Sequence, residues 1–322
     1  MASTTGRRLL ACSSAGGHFK QLVRLVRRIP EVGEVTWLTY DSGFTEGLLE
    51  WAGRGGDRVV YAPYAAPRDL ANLARDAVVA RRLLSEDSYD LAVSTGAGLA
   101  VATLPLARAF GVSAHFIETV ARTQGPSLSG RLMQRIPGVD LITQNRGYPR
   151  GWRYVGSVHD EFKRGPDKGE PTDIRKVVVT LGTSKKYGFR RLVERLKHVI
   201  PDGTLVLWQT GATDVSGLGI EGHTHLPSTE LEEAIREADV LVAHAGAGSA
   251  LTGFELGRWP ILVPRRPDFG ENIDDHQAIT ARTLAKRDLA MNVDADEITF
   301  EHQKVAASRS VIETAELPAL DF

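Results

Sequence analysis

The sequence predicts an α/β protein made of two doubly wound halves, each with a parallel sheet covered by helices. Short apolar runs, such as Leu9 to Cys12 and Val177 to Leu181, alternate with amphipathic helical segments. A turn containing glycine follows several of these runs. The pattern restarts near Lys176, and 322 residues exceed the size at which single cores usually stop growing. Two domains are therefore expected.

Composition narrows the class of protein. The chain has 42% hydrophobic and 25% charged residues, as globular proteins do, and its formal net charge of -1 argues against a general nucleic-acid binder. Its one cysteine, Cys12, excludes an internal disulfide framework and fits a reducing compartment. No apolar run approaches the roughly 18 residues that span a bilayer. We predict a cytoplasmic protein whose contact with a membrane is at most peripheral.

The first glycine turn opens the N-terminal half. The strand from Leu9 to Cys12 leads through Gly16 and Gly17 to His18 and an amphipathic helix. Dinucleotide-binding units begin in the same way, and Asp41 stands where an NAD-binding acid is expected. The loop nevertheless lacks the G-x-G-x-x-G spacing, because no third glycine follows Gly17. NAD binding is therefore disfavoured.

Further along this half, two features carry charge. The predicted helix over 67–84 combines arginines with leucines, which fits either an anionic membrane surface or ordinary packing on the sheet. A second glycine turn at Gly96 follows the strand over 90–94. Glu118 and Arg122 come just after another strand, at the edge where α/β sheets bind ligands. A local i, i+4 ion pair is the alternative explanation for these two residues.

The C-terminal half repeats the pattern. Residues 1–162 are predicted as the N-terminal domain, and 163–175 as a charged linker rich in proline and glycine. Residues 176–322 form the predicted C-terminal domain, whose last helix is free to pack back on the N-terminal one. Its first strand, over 176–181, ends at the turn Gly182-Thr183-Ser184.

A further glycine turn follows the strand over 240–243, which ends at His244. The run Ala245-Gly246-Ala247-Gly248-Ser249 opens a helix, and the bare N–H groups and positive dipole of a helix start suit a diphosphate. An ordinary strand-loop-helix connection is the alternative.

Three more side chains complete a predicted nucleotide-sugar site. Glu255, on the same helix, suits both hydroxyls of a ribose. Asp275 and Gln277 open the next helix and are placed to hydrogen-bond a sugar.

The order His244 to Ser249, Glu255, Gly257-x-x-Pro260, Val263-Pro264-Arg265 and Asp275-His276-Gln277 resembles the donor half of MurG-type N-acetylglucosaminyltransferases. It more closely resembles the catalytic subunit of the two-subunit enzyme that adds the second sugar of the dolichol-linked oligosaccharide, and its bacterial exopolysaccharide relatives. The N-terminal half resembles the membrane-anchoring subunit of that enzyme. The similar motifs there are Ser-x-Gly-Gly-His18, Ile-Glu118-Thr-x-Ala-Arg122 and Leu-Ser-Gly-Arg-Leu132.

This resemblance implies the GT-B architecture, with two Rossmann-like domains facing a cleft and both subunits fused in one chain. It implies an inverting glycosyltransferase that moves a sugar from a UDP-sugar to a hydroxyl of a lipid-linked saccharide, with no obligatory metal. His18 is then the candidate base, because its ordinary pKa lies near neutrality, although binding the acceptor's diphosphate or capping the helix are alternatives. The implied residues are, for catalysis, His18 and Glu118; for the sugar donor, Gly182, Thr183, Ser184, His244, Gly246, Ala247, Gly248, Ser249, Glu255, Asp275 and Gln277; and for the acceptor, Gly16, Gly17, Gly96 and Arg122.

Other functions stay open from sequence. Some UDP-sugar epimerases share the GT-B fold, and a non-catalytic nucleotide-sugar-binding partner would carry the same donor motif. Asp294-Ala295-Asp296 matches the Asp-x-Asp metal triad of another glycosyltransferase fold, but a helix cap with first-turn acids explains it more simply.

Overall fold

The computed structural model describes residues 6–41, 45–65, 69–169, 173–182 and 186–320. The chain divides into two compact units. Unit 1 is Met1–Asp160 with Glu316–Phe322, and unit 2 is Glu161–Ala315. Within the described ranges, no helix is both long and apolar enough to cross a membrane.

Unit 1 is built on a sheet whose strands, in chain order, are β1 (Arg7–Cys12), β2 (Val32–Thr39), β3 (Arg58–Tyr61), β4 (Leu91–Ser94), β5 (Ser113–Ile117), β6 (Val139–Thr143) and β7 (Arg153–Tyr154). Their spatial order is β3-β2-β1-β4-β5-β6-β7, and the pairings are parallel. In the central strand β1, Leu9 and Leu10 are fully buried. Burial of both faces explains why this strand reads as a continuous apolar run.

The crossover connections of unit 1 contain helices, which are α1 (Gly17–Val26), α2 (Thr45–Trp51), α3 (Leu70–Glu86), α4 (Ala97–Ala109) and α5 (Leu128–Met133). The buried face of α1 includes Leu22 and Leu25, as its apolar spacing predicts. Helix α3 begins at Leu70 because the side chain of Asp69 accepts a hydrogen bond from the backbone N–H of Asn72.

Unit 2 repeats this plan. Its strands are β8 (Phe162–Arg164), β9 (Lys176–Thr180), β10 (Leu205–Gln209), β11 (Gly222–His223), β12 (Val240–Ala243), β13 (Ile261–Leu262), β14 (Met291–Asn292) and β15 (Val311–Glu313). A parallel sheet has the order β11-β10-β9-β12-β13-β14, while β8 and β15 form a separate antiparallel pair. The helices are α6 (Arg190–Val199), α7 (Ser228–Glu237), α8 (Ala247–Glu255), α9 (His276–Lys286) and α10 (Phe300–Ser308). Two parallel α/β units are thus present, as the sequence predicts.

The segments near the predicted domain boundary have a different arrangement. The start of the predicted linker forms β8, which pairs with β15 in unit 2. Helix α10 packs against β12 and β13 of unit 2. Only the chain from Glu316 onward belongs to unit 1, where the N–H of Leu320 donates to the carbonyl of Arg28 at 2.8 Å. The buried guanidinium of Arg28 donates to the carbonyls of Pro318 and Ser157, which fixes this segment.

The strand order creates one topological switch point in each unit. In unit 1, β1 and β4 are neighbours, and in unit 2, β9 and β12 are neighbours. The connections that follow two such strands leave on opposite sides of the sheet, which opens a crevice at their carboxyl ends. Both histidines predicted for the site, His18 and His244, follow strands at these switch points.

Candidate sugar-donor and acceptor sites

His244 lies at the switch point of unit 2, directly after β12 and beside the end of β9. Its Nδ1 lies 3.3 Å from the backbone carbonyl oxygen of Thr180. Because a carbonyl oxygen only accepts hydrogen bonds, Nδ1 carries the proton and Nε2 keeps a lone pair. Burial, together with the positive charge of Arg265, lowers the pKa of His244 to about 3. The imidazole is therefore neutral at physiological pH.

Two glycines pack against this imidazole ring. A Cβ atom at Gly182 would lie 2.6 Å from Cε1 of His244, and one at Gly246 would lie 2.4 Å from Nε2. Ala245, between His244 and Gly246, has a φ of 57°, a left-handed conformation that costs a non-glycine residue about 1 kcal/mol. The structure thus joins the two predicted glycine turns around one ring. Thr183 and Ser184, predicted with Gly182, lie outside the described residues.

The neutral state of His244 predicts a loss of stability in acid. Its folded pKa lies below its ordinary value of 6.5, so on acidification the unfolded chain takes up a proton that the folded chain does not. The contribution of neutral His244 to the free energy of unfolding is fully present above about pH 6.5, and it is lost as the pH falls toward about 3. In a His244→Gln variant, the free energy of unfolding should therefore fall less between about pH 7.5 and pH 5, by about 1–2 kcal/mol.

Urea denaturation of the wild type and His244→Gln at both pH values measures this difference. Burial also lowers the pKa of His115, but that residue contributes equally to both proteins. Identical pH dependence of the two proteins would show that folding does not lower the pKa of His244.

The N-terminus of α8 is open at the same place. Its N-cap, Gly246, supplies no side-chain hydrogen bond, so the first N–H groups of the helix, at Ala247, Gly248 and Ser249, have no intrahelical acceptor. Gly248 is exposed, and no atom lies within 4 Å of the place a Cβ would occupy. A free helix start beside a glycine turn has the geometry and the dipole that bind a phosphate.

Arg265 supplies a buried positive charge near this turn. Its side chain is 3% exposed, and burial lowers its pKa to about 10, which leaves the guanidinium charged at neutral pH. One nitrogen, Nη2, donates to the carbonyl of Leu181 at 2.7 Å, while Nε has no partner. Among the described residues, no carboxylate lies within ion-pair distance of it. Glu271 stabilises this charge only from beyond ion-pair distance, so the guanidinium remains suited to an anionic ligand.

Gln277 is held next to Arg265. Its side-chain Oε1 accepts the backbone N–H of Arg265 at 3.0 Å, and the residue is 5% exposed. In the described part of the chain, its amide Nε2 has no acceptor. The side chain is therefore fixed with its N–H₂ group available to a hydroxyl or carbonyl of a ligand.

Glu255 is the last residue of α8, about two turns from the glycine turn, or roughly 12 Å along the axis. It shares the less buried face of the helix with Gly248 and Thr252. Its side chain leans toward the N-terminus, as helical side chains do. Thr252 lies one turn nearer the glycine turn on that face. The sequence reasoning missed Thr252, although its spacing from Gly248 indicates the shared face.

Asp275 is the N-cap of α9 and lines a polar cavity of about 440 Å³ with Arg266, Arg282 and Asp294. The structure thus shows a direct contact with Arg265 for Gln277, while the sugar contact of Asp275 stays a prediction. The interpretation of 294–296 as a helix cap was wrong. Helix α10 starts at Phe300 with Thr299 as its cap, because Asp294 and Asp296 pair with Arg191 instead.

His18 lies at the switch point of unit 1 in a similar setting. Its Nδ1 lies 2.8 Å from the backbone carbonyl oxygen of Thr95, and the hydroxyl of Thr95 donates to the carbonyl of His18 at 2.7 Å. Nδ1 is thus the protonated nitrogen, and Nε2 has a free lone pair. A Cβ at Gly96 would lie 3.4 Å from the ring. Gly16 caps α1 with a φ of 79°, and Gly17 is exposed beside it, so the predicted acceptor-side glycines surround this histidine.

Glu118 is buried beside this turn, with 1% of its surface exposed. One carboxylate oxygen accepts the N–H of Thr119 at 3.1 Å, and the other accepts the N–H of Ser127 at 2.8 Å. The carboxylate thus fixes the loop that leads into α5. This geometry favours a positioning role for Glu118 over the predicted catalytic one.

A glutamine that the sequence reasoning missed connects this loop to α1. Gln21 is 6% exposed, and its Oε1 accepts hydrogen bonds from the N–H of Val120 and from Gln144 Nε2. Its position one turn after His18, among the buried apolar residues Phe19, Leu22 and Leu25 of α1, was the available signal. Arg122 is exposed; its N–H donates to the carbonyl of Thr119 at 2.9 Å, and its carbonyl accepts from Asn145 Nδ2 at 3.0 Å. The alternative explanation, an i, i+4 ion pair with Glu118, does not apply, because neither residue pairs with the other in the described part of the chain.

An apolar groove of about 780 Å³ lies near His18 in unit 1. It is formed by α3, α4, α5 and the chain after β1 and β2, and Leu73, Val101 and Leu132 line it. Tyr64, Leu70 and Leu128 at the groove are 65–75% exposed. The groove is large and apolar enough for a hydrocarbon chain.

Residues 176–314 match the family model described as the glycosyltransferase family 28 C-terminal domain. The match confirms the predicted glycosyltransferase class. The curated relatives are named UDP-N-acetylglucosamine–N-acetylmuramyl-(pentapeptide) pyrophosphoryl-undecaprenol N-acetylglucosamine transferase. The relative from Nostoc punctiforme is 22% identical over 327 residues, which cover 94% of this chain and 87% of that protein. The relative from Parasynechococcus marenigrum is 27% identical over 317 residues, which cover 90% and 84%.

Solved structures share the fold. MurG of Acinetobacter baumannii superposes with a TM-score of 0.53 at 17% identity, covering 92% of this chain and 89% of that one. A UDP-N-acetylglucosamine 2-epimerase reaches a TM-score of 0.57 at 10% identity, covering 94% and 86%. The predicted GT-B fold of two Rossmann-like domains is thereby confirmed.

Proposed function

We propose that this protein is an inverting glycosyltransferase that moves a sugar from a UDP-sugar to a hydroxyl of a polyprenyl-diphosphate-linked saccharide. It is a UDP-sugar glycosyltransferase by its family match and its relatives. The observation that carries the proposal is the arrangement at β9 and β12, where a neutral histidine, an open helix start and a buried arginine without a direct ion pair among the described residues converge. N-acetylglucosamine is the first sugar to test, because the relatives are named for its transfer.

Each group at that switch point fits one part of the donor. The first N–H groups of α8 and the guanidinium of Arg265 bind the diphosphate and stabilise its charge as it leaves. Gln277 Nε2 donates to the sugar. Glu255 accepts the ribose hydroxyls, with Thr252 closer to the diphosphate. The fixed positive groups supply the stabilisation of the leaving group, and we propose that no obligatory metal is needed for it.

The acceptor lies on unit 1. We assign its hydrocarbon chain to the apolar groove and its diphosphate to the glycine turns at Gly16, Gly17 and Gly96, beside the open N-terminus of α4. Helix α3 supports peripheral contact with an anionic membrane face, because Arg75, Arg81 and Arg82 are exposed on the same helix as Leu70 and Val78.

The chemistry needs one base. Nε2 of His18 takes the proton from the acceptor hydroxyl, and the oxygen forms a bond to the anomeric carbon. The bond from that carbon to the β-phosphate oxygen breaks, and UDP leaves with the electron pair. A single displacement inverts the configuration at the anomeric carbon. Glu118 acts indirectly, by fixing the loop next to the base.

The fused arrangement is also part of this proposal. Unit 1 corresponds to a membrane-anchoring subunit and unit 2 to a catalytic subunit of two-subunit transferases. A single chain of this kind suits the assembly of an exopolysaccharide or a related glycoconjugate.

Replacing Glu255 with alanine should raise the KM for the UDP-sugar by about tenfold or more, because two hydrogen bonds from ribose to a carboxylate are lost. Steady-state kinetics with UDP-N-acetylglucosamine and a polyprenyl-diphosphate-linked saccharide measure it. Glu237→Ala is the matched control, because Glu237 is also the last residue of a helix in unit 2 but is exposed and paired with Lys176. An unchanged KM in Glu255→Ala with a raised KM in Thr252→Val would move the ribose contact to Thr252.

The same assay separates transfer from epimerisation. A transferase releases UDP only when the acceptor is present. Conversion of the UDP-sugar to its epimer without acceptor would identify an epimerase, and binding without turnover on acceptor would identify a non-catalytic partner.

A further inference from the structure

Arg191, in the first turn of α6, is the centre of an ion-pair network in unit 2. Its Nε and Nη2 lie 3.1 and 3.2 Å from the two carboxylate oxygens of Glu271. Its Nη1 lies 2.7 Å from Asp294 and 2.8 Å from Asp296. The guanidinium also stacks on the ring of Phe269 at 4.3 Å. Only 17% of the Arg191 side chain is exposed, so water screens these pairs weakly.

The same network includes hydrogen bonds that join the two ends of the segment over residues 266–271. Glu271 Oε2 accepts the N–H of Arg266 at 3.0 Å, and the N–H of Glu271 donates to the carbonyl of Arg266 at 3.1 Å. Arg266 in turn pairs with Asp294 at 3.0 Å. Hydrogen bonds between Arg266 and Glu271 therefore join the two ends of the loop over residues 266–271. The ion pair between Arg191 and Glu271 connects this loop to α6.

Apolar packing contributes little to this loop. Phe269 is 58% exposed, and Ile273, shortly after the loop, is 73% exposed. The conformation of 266–271 consequently depends on hydrogen bonds and ion pairs. A bidentate, partly buried arginine pair is the kind of ion pair that holds a geometry.

The loop lies between two residues assigned to the sugar donor. Arg265 directly precedes it, and Gln277, which follows it, is bonded to the backbone N–H of Arg265. A shift of 266–271 moves the backbone of Arg265 and with it both side chains.

We propose that Arg191 is a positioning residue of the donor site, which holds 266–271 so that Arg265 and Gln277 face the diphosphate and the sugar. This inference rests on the proposed function for the identity of the ligand. The contacts that hold the loop over 266–271 to α6 do not depend on that function. Arg191 itself touches neither Arg265 nor Gln277 by hydrogen bond.

The test compares Arg191→Gln with Arg190→Gln. Arg190 is the neighbouring arginine, more exposed, and paired with Glu194 on its own helix, so it is a matched control outside the network. In Arg191→Gln, amide hydrogen exchange of a peptide covering 264–277 should accelerate by about tenfold or more, because Glu271 is released. The affinity for UDP should fall, and the KM for UDP-N-acetylglucosamine should rise, each by about tenfold, with kcat changing less. Arg190→Gln should match the wild type.

Two more variants keep the test decisive. Glu271→Gln removes the same ion pair between Arg191 and Glu271 by changing the residue in the loop. It should reproduce the effects on hydrogen exchange and on KM, even if Arg191→Gln folds poorly. Arg191→Lys should restore the wild-type exchange rate and KM only in part, because an ammonium cannot bind Glu271 through two nitrogens. Wild-type exchange over 264–277 in both Arg191→Gln and Glu271→Gln, or faster exchange with unchanged UDP affinity and KM, overturns the inference. Failure of the wild type to bind UDP overturns the proposed function instead, while the exchange result still reports on the loop.

Discussion

Replacing His18 with alanine should lower kcat by about 10²- to 10⁴-fold, the usual contribution of a general base. The hydrogen bond from Nδ1 to the carbonyl of Thr95 fixes the tautomer in which Nε2 accepts a proton. The KM for the UDP-sugar should change less than about twofold, because the residues assigned to the donor are all in unit 2. Steady-state kinetics with both substrates varied measure these effects.

The acceptor kinetics distinguish the roles of His18. If His18 binds the diphosphate of the acceptor instead, the KM for the acceptor rises while kcat falls only slightly. His225→Ala, at an exposed histidine of unit 2, is the control and should leave both parameters unchanged. A His18→Ala variant with wild-type kcat would contradict the assignment of the base.

Replacing Gly246 with alanine should abolish measurable UDP binding and lower the free energy of unfolding by about 1–3 kcal/mol, as overpacking does. The backbone of Gly246, with φ -72° and ψ 135°, is one that alanine adopts easily. The cost therefore comes from the new Cβ, which would lie 2.4 Å from Nε2 of His244 and displace the ring. Calorimetric titration with UDP and urea denaturation measure the two effects.

A double variant separates the ring contact from other effects of the new methyl group. His244→Ala removes the ring, so His244→Ala with Gly246→Ala should lose less stability than the sum of the single changes, while UDP binding stays weak. Gly248→Ala serves as the control for stability, because its Cβ meets no atom within 4 Å and alanine favours a helix. Additive losses in the double variant would show that the ring and the glycine do not interact.

The fold could be predicted from the sequence because parallel strands buried on both faces read as apolar runs. The runs at Leu9 to Cys12 and Val240 to Ala243 are both such strands, and glycine turns follow at the predicted places. Strand order in the structure then shows that both predicted histidines follow strands at a switch point, where ligands bind in α/β sheets. The enzyme class followed from the motif around His244, which lies in the matched family 28 domain.

Contacts between distant residues could not be predicted in the same way. Gly182 and Gly246 touch one imidazole ring only because β9 and β12 are neighbours in the sheet. The residue type of Glu118 suggested chemistry, but the carboxylate is used by two backbone N–H groups of its own loop. Asp294 and Asp296 resembled a helix cap because the sequence does not show that Arg191, about a hundred residues earlier, reaches them.

The central claim is tested most directly by incubating the protein with radiolabelled UDP-N-acetylglucosamine, with and without a polyprenyl-diphosphate-linked saccharide, and following both the lipid product and UDP. The proposed function predicts that UDP appears only with the acceptor, in equal amount to a lipid product extended by one sugar. UDP-sugar converted to an epimer without acceptor, or no UDP binding in a calorimetric titration of the same preparation, would contradict it.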